Sequence, residues 1–167
     1  VTWQSIFDNF GVSSIGSLAV APSNPNIVWA GTGEPHIRSH ISMGNGIYRS
    51  ADAGRTWQRM GLEESGRISR ILIHPENPDI VYAGVQGHGY GPQQMRGVYR
   101  SRNGGQTWDR VLFVDENTGV SDMVLDPTNP DKIFVGMWQL LIRTWGRESG
   151  GPGSGLYLTR DGGNTFS

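Results

Sequence analysis

The sequence contains no cysteine, a single lysine (Lys132) and no apolar run approaching the ~20 residues a membrane-spanning helix requires. Without cysteine there are no disulfides and no thiolate metal sites, and the redox compartment stays open. Charge is sparse, at 17% of 167 residues, and balanced to a net -1. The chain therefore has neither the basic field that draws nucleic acid nor a polybasic stripe for a membrane surface, and no partner of either kind is expected. The opening segment VTWQSIFDNF has no basic stretch followed by an apolar one, so it does not read as a secretory leader. Helix start signals, a phosphate loop, a dinucleotide fingerprint and a G-x-S-x-G elbow are all missing. GGPGSG (150–155) has no following helix to cradle a phosphate, and no cofactor is expected.

What abounds is glycine: 25 residues, about twice the usual ~7%. The excess belongs to turns between short strands, and the turns recur. APSNPNIVWAG (21–31), HPENPDIVYAG (74–84) and DPTNPDKIFVG (126–136) repeat at spacings of 53 and 52 residues. Each is followed by a second block, GIYRSADAGRTW (46–57), GVYRSRNGGQTW (97–108) or GLYLTRDGGNTF (155–166). Short apolar runs flank both blocks, so one unit predicts four strands, a to d. Asn24, Asn77 and Asn129 can close the a–b turn while Pro25, Pro78 and Pro130 fix φ.

The c–d turn carries the most specific motif, S-x-D-x-G-x-T-W. In the first copy Ser50, Asp52, Gly54, Thr56 and Trp57 occupy it. The Asp52 carboxylate can accept N-H groups of its own turn, Gly54 can take a positive φ, and Trp57 begins the outer strand as a packing body. The second copy has Ser101, Asn103, Gly105, Thr107 and Trp108, and the third has Thr159, Asp161, Gly163, Thr165 and Phe166. An amide can replace the carboxylate and a phenyl the indole, so all fifteen positions read as structural.

These boxes, with the G-(I/V/L)-Y before them and the P-x-N-P blocks between, resemble the Asp-box or bacterial-neuraminidase repeats of β-propellers. IVYAG, QMRGVYRS, GMWQ and SGGPGSGLYLTRDGGNTF are similar to the sortilin-like or glycosyl-hydrolase-type subgroup. The resemblance spans essentially the whole chain and implies an all-β propeller of four-stranded antiparallel blades. Three blade equivalents are expected, at about 1–57, 58–108 and 109–167, in a secreted or extracellular protein. The fold group includes sialidases, xyloglucanases and sorting receptors, so the boxes fix architecture better than activity.

In a propeller the boxes share one face with the a–b turns, and the b–c and d–a loops share the other. Ligand-binding candidates are therefore sought on the long b–c loops (32–45, 85–96, 137–154): His36, Arg38, His88, Tyr90, Trp138, Arg143 and Trp145. Glu34, His36 and His40 invite a metal reading, but Gly, Pro and Ser around them offer no helix to align the imidazoles, and no metal site is assigned. Five residues before the repeat proline stand Ser17, Arg70 and Asp122, polar positions on innermost strands that face the central channel, where Arg70 and Asp122 can pair. Asp122 is the weak catalytic candidate, since glycoside cleavage needs two carboxyl groups and no local motif fixes a second.

The function expected is a non-catalytic module that binds a glycan or a protein through this loop face. A polysaccharide hydrolase fragment and a self-assembling structural protein are the alternatives. For assembly the partner would be further blades or a second copy. The phase of the repeats predicts an orphan outer strand at Thr2–Phe7 and an open edge along 155–159, which two copies could exchange.

Overall fold

The computed structural model describes residues 2–38 and 40–167 and has twelve strands among them, with Asn-Pro turns and box turns joining strands within each sheet. The first sheet runs β1 (Ile15–Ala21), β2 (Asn24–Thr32), β3 (Ile47–Ser50), β4 (Gln58–Arg59), each antiparallel to the next. The second repeats that order with β5 (Ile68–Ile73), β6 (Val81–Val85), β7 (Gly97–Ser101) and β8 (Asp109–Leu112). In the third, β9 (Thr118–Asp126), β10 (Asn129–Arg143) and β12 (Gly155–Thr159) are inner to outer, and β11 (Gly146–Ser149) pairs the far end of β10. Ser167 and Leu158 exchange backbone hydrogen bonds of 3.0 and 2.9 Å, at the position where Gln58 pairs with Arg49 in the first sheet.

Neighbouring sheets approach closely because each has a glycine where the next inserts aliphatic side chains. A Cβ on Gly31 would stand 2.5 Å from Ile68 Cγ2 and 3.2 Å from Ile71 Cδ1, and one on Gly84 would stand 2.7 Å from Val120 Cγ1 and 3.2 Å from the Met123 methyl. Hydrogen bonds cross the same seams: Ile71 N-H donates to Ser17 Oγ at 3.0 Å, and the Ser69 hydroxyl to Val120 O at 2.7 Å. Burial follows. Ile71 is 3% exposed, whereas Leu18, its counterpart in the first sheet, is 67% exposed on the outer flank. Leu156, on the opposite flank of the third sheet, is 71% exposed.

Each box braces its own turn, and the second and third pack on the preceding sheet. The Ser50 hydroxyl donates to Asp52 Oδ1 (2.7 Å) while accepting Gly54 N-H (2.8 Å); Asp52 accepts the Thr56 N-H (2.8 Å) and hydroxyl (2.6 Å). Gly54 has φ +87°, and Gly105 and Gly163 repeat it at +90° and +87°. Thr159, Asp161 and Thr165 reproduce the hydrogen bonds, and in the second copy Asn103 Nδ2 becomes the donor to Thr107. Gly105 lies against Trp29, whose ring meets that of Trp108 edge-on at 6.0 Å, and Trp108 Nε1 donates to Met60 O at 2.7 Å. Trp57, Trp108 and Phe166 are half-buried.

Two expectations need correction. Thr2–Phe7 forms no strand: Asp8–Phe10 makes a 3-10 turn, and Phe7 packs on Tyr48 and Trp57 at 5.0 and 5.3 Å between ring centres. Ile6 nevertheless touches Gly54 (3.2 Å from a Cβ there) as Met60 touches Gly105 and Val111 touches Gly163. The segment thus occupies the place of a preceding blade's outer strand, and it lacks the ladder because no inner strand stands beside it among the described residues. The second correction concerns 137–154, expected as an irregular loop. It is largely the β10–β11 hairpin, and Trp138 lies within β10 rather than at a loop start.

The hydroxyl and N-H of Thr56, with the Ser50 hydroxyl, hold the Asp52 carboxyl at about 2, and the equivalent groups of Thr165 and Thr159 hold Asp161 well below the usual carboxylate range. A depressed folded-state value adds stability that is present above the unfolded value of about 4 and is lost as pH falls through the folded one. The melting temperature should therefore drop between pH ~4 and ~2, and the double variant Asp52→Asn/Asp161→Asn, which copies Asn103, should flatten that slope. An acid slope unchanged in the double variant would contradict this account.

Candidate functional site

Strands β1, β5 and β9 stand innermost, so residues at equal repeat positions meet at one end of the channel they line. Gly16, Ser69 and Ser121 are such a set; Arg70 and Asp122 belong to the next, and Gln86 and Trp138 lie two residues beyond the repeated glycines Gly84 and Gly136. With Pro35, His36 and Ile37 from the first b–c loop they line a cavity of about 460 Å³. Arg70 Nε lies 3.3 Å from Asp122 Oδ1 and donates to Met123 O at 3.2 Å, so the pair spans the second and third sheets. Both side chains are substantially exposed, which limits the pair's contribution to stability. Gln86 is buried, and its Oε1 finds no hydrogen-bond partner among the described residues. An aromatic wall, an ion pair, an imidazole, two hydroxyls and an unsatisfied amide suit a polyhydroxylated ligand.

Beside it lies a second cavity of about 430 Å³, lined by Arg38, Tyr90, Ile142, Arg143, Thr144, Gly146 and Arg147. The β10–β11 hairpin reaches it because β10 continues well past the ends of β2 and β6, and Ile142 forms an isolated parallel bridge with Tyr90. Residues 36–38 join the two cavities, His36 and Ile37 facing the first and Arg38 the second. Glu34 accepts from Arg38 Nε and from Ser42 N-H, and these bonds lower its carboxyl's pKa.

Two buried guanidiniums set the shape of the 85–96 loop. Arg67 donates to Gly87 O (2.7 Å) and His88 O (3.1 Å); Arg96 donates to His88 O (3.0 Å), Gly91 O (3.2 Å) and Asn117 O (3.1 Å). Burial, reinforced by the charge of Arg96, brings Arg67 down to about 10, and burial likewise lowers Arg96. Charged donors on backbone carbonyls make strong braces.

Of the residues the sequence singled out, His36, Trp138 and Asp122 come together in the first cavity, and Arg38, Tyr90 and Arg143 in the second. His88 and Trp145 line neither. His88 serves the loop through its backbone, and Trp145 is 81% exposed, 5.8 Å from the Arg143 guanidinium. Gln86 and Arg147 are lining residues absent from that set. Carrying the repeat alignment two residues past the glycine would have found Gln86, opposite Trp138 in the same phase. Among the described residues no helix is long and apolar enough to cross a membrane.

A family model described as Sortilin-Vps10 (sortilin, neurotensin receptor 3) matches residues 45–167. The chain belongs to the Sortilin-Vps10 family. As a member of this family it is also 26% identical over 171 aligned residues to the xyloglucanase Xgh74A of Acetivibrio thermocellus, covering 94% of this chain and 19% of that protein. A Paenibacillus xyloglucanase is 28% identical over 125 residues, covering 70% of this chain and 11% of that protein. The Sortilin-Vps10 chain thus spans about a fifth or less of the length of these relatives. Among solved structures, an ancestral GH74 enzyme superposes with a TM-score of 0.67 at 19% identity, over 100% of this chain and 19% of that one. The GH74 xyloglucanase of Xanthomonas campestris gives 0.61 at 19% identity, over 96% and 24%. These likenesses establish a partial β-propeller of the glycosyl-hydrolase repeat type.

Replacing Arg96 with Met should leave the Gly91 carbonyl without its donor and take one of two donors from the His88 and Asn117 carbonyls, destabilise the chain by about 1 to 3 kcal/mol in urea unfolding and speed amide exchange across 87–93. Unchanged stability and exchange would show that the guanidinium does not hold the loop.

Proposed function

We propose that the channel-mouth cavity binds a neutral polysaccharide segment, with Trp138 as the stacking wall and Gln86, Ser69, Ser121 and the Arg70–Asp122 pair taking sugar hydroxyls. The observation that carries this reading is the gathering of an aromatic wall, two hydroxyls and an ion pair around one cavity. The relatives' name, xyloglucanase, supplies the probe, and a secreted location goes with a polysaccharide ligand.

A hydrolytic role is the second reading, favoured by Asp122 being the carboxylate that lines the cavity. Cleavage needs a second carboxyl roughly 5 to 9.5 Å away, and the lining residues include none, so in this reading a further blade provides it. Release of reducing ends from xyloglucan by a propeller that joins this chain to its further blades, lost in Asp122→Asn, would favour hydrolysis over binding.

Calorimetric titration with xyloglucan oligosaccharides should show binding that Trp138→Ala weakens by about tenfold or more. Equal affinity in the variant, or no binding by the parent chain, would overturn the proposal.

A further inference from the structure

The second cavity differs from the first in charge. Three guanidiniums line it, those of Arg38, Arg143 and Arg147, and no carboxylate does. Arg38 and Arg143 are each engaged by a carboxylate through Nε alone, Arg38 with Glu34 and Arg143 with Glu148 at 3.3 Å. That contact fixes the side of each guanidinium while its two terminal amino groups remain for a ligand. Arg147 makes no ion pair within 4.0 Å among the described residues. With Glu34 and Glu148 set against the three arginines, the cluster keeps one positive charge uncompensated among the described residues, that of Arg147.

The ring that accompanies these charges is Tyr90, which is 52% exposed, and Thr144 adds a hydroxyl. Its place is held from both sides: the bridge between Tyr90 and Ile142 joins the second loop to the β10–β11 hairpin, and the Arg67 and Arg96 braces hold the carbonyls of His88 before it and Gly91 after it. The cavity is thus a preformed space of a size suited to small ligands, with cationic donors and a phenol ring on its walls. A guanidinium's planar donors match a planar carboxylate, and a sugar ring fits against the phenol face.

We infer that the Arg38–Arg143–Arg147 cavity is a subsite for a carboxylate-bearing sugar, a uronic acid unit of an acidic polysaccharide. The inference rests on the glycan reading of the neighbouring cavity, to which residues 36–38 connect it. A chain seated with neutral units against Trp138 would present its acidic unit to the arginines. The site then prefers acidic over neutral polysaccharide, a selectivity that the first cavity alone does not supply.

The test compares a galacturonate oligosaccharide with the same oligosaccharide after reduction of its carboxyl groups, and with a neutral xyloglucan oligosaccharide, by calorimetry on the whole chain. The acidic form should bind about tenfold or more tighter than the reduced form, and the margin should shrink as salt rises from about 50 mM to about 300 mM. Arg38→Gln/Arg143→Gln/Arg147→Gln should remove the margin while leaving affinity for the neutral oligosaccharide intact. The single variant Arg147→Gln, at an exposed position, should halve it or more with an unaltered melting temperature. Equal affinity for acidic and reduced forms, or a margin that survives in the variants, overturns the subsite while leaving the Trp138 cavity standing. Binding of the acidic form without any of the neutral one upholds the subsite and overturns the Trp138 reading. Absence of binding by all three overturns both.

Discussion

The sheets of this chain can approach one another only because the second strand of each has no side chain where the next sheet inserts its own. At Gly31 the missing Cβ leaves room for Ile68 and Ile71, and at Gly84 for Val120 and Met123. Those aliphatic residues form the centres of the two buried clusters, one for each seam. Close packing of this kind tolerates little change in volume. On the rim the same seam is closed by the boxes, whose glycines lie against Trp29 and beside Tyr82, and whose backbone at Gly162 accepts from Tyr82 and Arg100.

The site follows from that stacking. Once the innermost strands stand side by side, equal repeat positions become spatial neighbours, and differences between repeats become the chemistry of the channel mouth. Ser69 and Ser121 replace Gly16, Arg70 faces Asp122, and Gln86 and Trp138 replace Gly33. A uniform frame with uneven rim residues is how a rigid scaffold comes to carry a specific surface. The one large departure from uniformity, the extension of β10 into a hairpin, builds the second cavity.

The four-strand order of the repeat and the box geometry were legible in the sequence because each rests on local chemistry repeated three times. Gly54, Asp52 and Thr56 act within one turn, and Asn-Pro pairs need no distant partner. The Arg70–Asp122 pair was legible from repeat phase alone. The hairpin over 137–154 was not, since a Gly-rich, arginine-bearing stretch has the composition of a loop, and its pairing to β10 depends on Ile142 packing inward. Arg67 and Arg96 were hidden for a related reason: nothing in the sequence around an arginine says that it will point into the protein and collect carbonyls. Thr2–Phe7 stands in the same repeat phase as the other outer strands, yet a strand needs a ladder partner, and packing of Phe7 on Tyr48 and Trp57 decides its conformation instead.

Gly84→Val tests the seam most directly, because the sign of its effect discriminates. Valine is a better strand former than glycine, so with space available the substitution would stabilise β6. With Val120 and Met123 already filling that space, urea unfolding should instead show a loss of about 1 to 3 kcal/mol. A variant as stable as the parent chain, or more stable, would contradict the claim that glycine sockets hold the sheets together.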